Sequence, residues 1–213
     1  MNAVVFSAII EQLEALGYCA QRSETVVWGW RHAVDRGLRA GPLIAASVVT
    51  NRQEVRISIT AGGEIAEVSD VLDAWHASQA AHLGFGKLPK KHSFACAGLP
   101  RSYLGWNRQT ERDLSQGIER AASEWDRFRI DDVVSTISDF LGVESAVHQR
   151  YTNFLGIEDQ LIIAVILRAW NIAVLPGGPE LANIFERRFG APPVRLLAFA
   201  DWWTNQEGSR GPK

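Results

Sequence analysis

Residues 87–113, KLPKKHSFACAGLPRSYLGWNRQTERD, concentrate the side chains best suited to hold an anion. Between Lys87 and Thr110 the cations Lys87, Lys90, Lys91, Arg101 and Arg108 meet no Asp or Glu, and Phe94, Tyr103 and Trp106 are interleaved with them. Cations on phosphates with rings under bases make a single-strand nucleic-acid platform. The same set suits a smaller phosphate or carboxylate pocket, because guanidinium groups donate strong charge-assisted hydrogen bonds to both. Lys90, Lys91, His92, Arg101, Tyr103 and Arg108 are the candidate anion-binding residues, and His92 is the imidazole placed to act as a general base beside them. The plain alternative is a connection whose charges are solvated while its three rings pin it to a core.

The opposite charge follows soon after. Residues 131–159 carry Asp131, Asp132, Asp139, Glu144, Glu158 and Asp159 against Arg150 alone. Sharing one face, these acids would offer a negative surface to a basic protein, and such complementarity selects partners and speeds encounter. A structural cause competes with this one. Asp131–Asp132 and Glu158–Asp159 stand where helices begin, and the helix dipole favours acids there by about 0.3–1 kcal/mol.

Other chemistry is not signalled. None of His32, His76, His82, His92 and His148 lies three or four positions from another or beside a cysteine, so no zinc spacing is present. A Gly-x-Ser-x-Gly elbow is missing, and the lysine of GFGKLPKK is not followed by the Ser or Thr of a phosphate loop. Cys96, among the small residues of SFACAG, reads as a small buried hydrophobe ahead of an activated thiol. No metal and no cofactor is expected.

Composition narrows the class. The chain has 213 residues, 46% hydrophobic and 22% charged, with a formal net charge of −2. That length buries a sizeable core unaided, and that charge points to neither nucleic acid nor a membrane surface, so any electrostatic function is local. Cys19 and Cys96 make no disulfide framework, which suits a reducing, cytoplasmic setting. The start, MNAVVFSAIIEQLEALG, has no basic region or small-residue cleavage site and reads as a folded helix. The longest apolar run, LIIAVILRAWNIAVL at 161–175, contains Arg168 and Asn171 and falls short of the roughly 20 residues that span a bilayer. It predicts a buried helix over 158–175.

The elements that must position these residues follow from periodicity. Val5, Ile9, Leu13 and Leu16 predict an amphipathic helix closed by Gly17. Val26, Trp28, Trp30 and His32 alternate with Thr25, Val27, Gly29 and Arg31, a strand pattern with its aromatics on one side. DRGLRAGP reads as a loop; LIAASVVT and EVRISIT read as a hairpin pair; AGGE reads as a turn, and IAEV as a fourth short strand. Ser69 is the expected N-cap of the next helix. HSFACAG is a further strand candidate, and helices then follow to the C-terminus. Among them Leu114, Ile118, Ala121, Ala122 and Trp125 recur at helical spacing, and Pro179 and Gly190 bracket another helix.

Segregated strands and helices define an α+β protein: an N-terminal helix and a short antiparallel sheet of three to four strands, then a helical C-terminal half. The expected organisation is a mixed half at 1–105, a helical half at 110–204 packed on it, and a flexible tail at 205–213. Without a catalytic motif, the leading functional expectation is a non-catalytic protein that binds another protein, in concrete form an inhibitor or immunity-type protein whose acids mask a basic partner. The alternative is an anion-binding protein or enzyme using residues 87–112 on a phosphorylated or nucleic-acid substrate. Self-association through the last helices is a third reading, and no membrane partner is expected.

Overall fold

A computed structural model describes residues 2–50, 55–83, 102–106, 111–142 and 157–206. The α+β expectation holds. Helix α1 (Asn2–Ala15) precedes strands β1 (Cys19–Arg22), β2 (Val26–Trp30), β3 (Ala33–Asp35), β4 (Leu38–Thr50) and β5 (Val55–Ile65). Helix α2 (Ala66–Leu83), strand β6 (Ser102–Trp106) and helices α3 (Glu111–Trp125), α4 (Ile130–Gly142), α5 (Ile157–Ala169), α6 (Gly178–Phe189) and α7 (Val194–Asn205) complete the described elements. The strands form one sheet in the order β1-β2-β4-β5-β6, with β3 paired to β4. Pairs β1–β2, β2–β4 and β5–β6 are antiparallel. No helix among the described residues is long and apolar enough to cross a membrane.

The sheet is larger than periodicity suggested, for local reasons. DRGLRAGP is not a plain loop. Arg36 (φ 51°) and Gly37 (φ 80°) make a two-residue turn with both φ positive, and β4 starts at Leu38. That turn geometry matches the twist of antiparallel strands. AGGE does not turn either: β5 runs through it to Ile65, and α2 starts at Ala66, three residues before the expected cap Ser69. IAEV therefore closes β5 and opens α2 and is no separate strand. Within the basic stretch Ser102–Trp106 forms a strand, and HSFACAG lies outside the described residues.

The chain divides into two compact units. The first comprises residues 1–33, 40–64 and 98–129. Its core is the contact between α1 and one face of the sheet. Val5, Ile9 and Leu13 are fully buried, as their spacing predicts, whereas Leu16 falls in the turn after the helix and is half-buried; Gly17 (φ 77°) follows it. Opposite them lie Val27, Ile44 and Ala46, also fully buried. A Cβ on Gly29 would meet Leu13 at 2.8 Å, so this glycine sets how closely α1 seats on β2. Helix α3 joins the core through Leu114, Ile118, Ala121, Ala122 and Trp125, all buried, and touches α1 where Gln12 donates to Glu119 at 3.5 Å. Arg31 fastens the edge by donating to the Leu16 carbonyl at 3.3 Å and pairing with Asp126.

The second unit comprises residues 34–39, 65–97 and 130–213. Its centre is α5, where Leu161, Ile162, Ala164, Ile166 and Leu167 are fully buried. A helix apolar around its circumference is buried on all sides, which is the expected reading of this run. It ends at Ala169, short of the expected 175, because Asn171 turns into the left-handed conformation (φ 56°). Helix α6 carries Pro179 in its first turn and closes on Gly190 (φ 66°), whose N–H reaches the Glu186 carbonyl, as expected of both residues. The β3–β4 turn also serves this unit: Asp35 accepts the first N–H of α4 from Ile130 at 2.8 Å, and Arg36 donates to the Ile172 carbonyl at 2.8 Å.

Arg39 and Glu67 give this unit a titratable clasp. The Glu67 carboxylate accepts the Arg39 backbone N–H at 2.9 Å and its Nε at 2.8 Å. Burial pushes the Glu67 carboxyl up, but the hydrogen bonds from Arg39 and its charge outweigh that and leave it below the ordinary value of 4.5. A depressed carboxyl stabilises the folded state above its unfolded value and loses that contribution as pH falls through the folded one. The stability difference between the wild type and Glu67→Gln, read by urea unfolding, is therefore expected to be full above pH 4.5 and to shrink in more acid buffer. A difference that grows towards low pH would contradict the clasp.

Candidate functional site

The expected acidic residues do different things. Glu158 and Asp159, in the first turn of α5, turn towards α7. The Glu158 carboxylate accepts the N–H groups of Arg195 at 2.6 Å and Leu196 at 3.0 Å. Helix α7 follows Pro193, which supplies no side-chain cap, so Glu158 satisfies these early N–H donors from a distance of 37 positions along the chain. Removing a cap costs about 0.5–2 kcal/mol. Glu158→Ala is expected to lower stability by about 1 kcal/mol and to speed hydrogen exchange selectively in the first turn of α7. Unchanged exchange there would mean that the carboxylate caps nothing.

Asp159 is 8% exposed and pairs with Arg195, whose Nη1 donates to Oδ2 at 3.0 Å and whose Nη2 lies 2.7 Å from Oδ1. The same guanidinium stands 3.1 Å from His76 Nε2 and over the Trp75 ring at 5.6 Å. A guanidinium only donates, so His76 Nε2 carries the lone pair and Nδ1 the hydrogen. Asp131 and Asp132 remain on the surface; Asp131 is 68% exposed and pairs with Arg36. Asp139 lies on α4, and Glu144 lies outside the described residues. The structure thus groups Glu158 and Asp159 around Arg195 and places Asp131 and Asp132 at the start of another helix.

Of the anion-binding candidates, Tyr103 lies in β6 opposite Ser58. Lys90, Lys91, His92, Arg101 and Arg108 lie outside the described residues, as do Cys96 and the tail from 207.

Two arrangements carry no signal in local sequence spacing. The first is His32 with Glu64, Nε2 to Oε2 at 2.8 Å, with side chains 13% and 4% exposed. An ionised carboxylate only accepts, so Nε2 bears the hydrogen and Nδ1 is the nitrogen able to take a proton when the ring is neutral. The alternation extends the strand to His32, whereas β2 ends at Trp30 and His32 lies two residues beyond it. Its partner is not legible because AGGE reads as a turn, whereas β5 continues through Glu64.

The second is the Trp28–Trp30 row. The fully buried side of β2 is Val27 with Gly29, against α1, and Trp28 and Trp30 lie on its other side. Register sets the opposite face: Trp30 pairs with Cys19 and Leu43, Trp28 with Gln21 and Ala45, and Val26 with Ser47. Cys19 and Gln21 are exposed; Val26, Trp28, Trp30, Ala45 and Ser47 are half-buried; Leu43 is buried. None of these eight positions is charged in a chain that is 22% charged. The signal available beforehand was the small Gly29, which fits a close helix better than a tryptophan does.

The first unit therefore defines a protein with one helix-covered sheet face and, on β1, β2 and β4, an uncharged aromatic face turned away from α1. No protein-family model, no curated protein and no solved structure matches the chain.

Proposed function

We propose that this protein acts by binding another protein, without turning over a substrate, and that the Trp28–Trp30 face of the sheet is its docking surface. The carrying observation is that half-buried face, uncharged across three strands and bearing two tryptophans. Depletion of charge with enrichment in aromatics is the composition of an interface core, and tryptophan is prominent among residues whose loss costs most binding energy. A nucleic-acid partner would call for cations to meet its phosphates, and these eight positions offer none. The favoured partner is a protein with its own apolar, uncharged patch. A concrete form is an inhibitor or immunity-type protein that covers its partner's working surface. The free, exposed thiol of Cys19 suits a reducing compartment such as the cytoplasm.

The acidic form of the reading, with a basic partner, rests on Asp131 and Asp132, whose side chains are exposed. One experiment separates the two. The full chain is used as bait in an extract of its native source, beside Trp28→Ser, Trp30→Ser and the double variant Asp131→Asn/Asp132→Asn. Circular dichroism checks that each is folded. A stoichiometric partner is expected with the wild type and the Asp variant. Loss of a hot-spot residue costs about 2 kcal/mol or more, so each Trp variant is expected to bind roughly thirtyfold more weakly. Full retention by both Trp variants would reject the sheet face, and loss confined to the Asp variant would move the site to α4. Recovery of no protein, or recovery abolished by nuclease, would reject the reading as a whole.

A further inference from the structure

We draw no further inference here: the strongest candidate, the part-buried His32–Glu64 pair just beyond β2, orients an imidazole, but nothing in the described residues shows what faces its other ring nitrogen.

Discussion

Gly63→Ala is expected to destabilise the protein by about 3 kcal/mol, the upper end for adding a methyl group to a packed core. A Cβ at this position would fall 1.9 Å from the Phe128 ring, with two more ring carbons at 2.0 and 2.2 Å. Phe128 is 4% exposed and leans on Trp125 at 6.0 Å between ring centres, so the ring has little freedom to withdraw. The glycine is thus the seat on which the segment between α3 and α4 rests against β5. A double-mutant cycle checks the cause as well as the size. In a Phe128→Ala background the ring is gone, and the added methyl is expected to cost at least about 1 kcal/mol less. Equal costs in both backgrounds would assign the loss to backbone conformation and dismiss the contact.

Arg195→Ala is expected to be comparably damaging, at about 3 kcal/mol, although Arg195 itself is 44% exposed. The reason is the partner. Asp159 is 8% exposed, and removing the guanidinium leaves a buried carboxylate without its cation. His76 Nε2 loses a donor at the same time. The loss is expected to be repaired in part by neutralising the acid: Arg195→Ala/Asp159→Asn should unfold at higher urea than Arg195→Ala alone. Arg195→Lys should rescue poorly, because one ammonium cannot reproduce the two-nitrogen approach to Asp159 while reaching His76. If Arg195→Ala matched the wild type, the carboxylate would be well solvated and its burial would carry no energetic weight.

These two sites and the Trp28–Trp30 face differ in how far the sequence alone reveals them. Spacing alone identified the buried positions of α1 and α3, because Val5, Ile9 and Leu13, or Leu114, Ile118 and Trp125, repeat with the helical turn, and that repeat is a local property of the chain. Gly17 and Gly190 ended their helices as expected, since a left-handed residue is a local demand that glycine meets without strain. The strand through Val26–Trp30 was equally legible from its alternation. Alternation says that two faces exist; it does not say which one meets a helix.

Tertiary structure made that choice. Seating Leu13 against Gly29 buries Val27 and turns Trp28 and Trp30 the other way. It also decided that AGGE runs on as strand, because Gly63 receives the Phe128 ring and Glu64 meets His32. The acids at the start of α5 looked like surface because helix dipoles favour acids at any such position. That they cap α7 and hold Arg195 depends on helices brought together over more than 30 positions. Helical period and turn chemistry act between near neighbours and are therefore written in the order of residues. Which face is covered, and which charge is paired, depends on contacts between distant segments, and those exist only once the chain has folded.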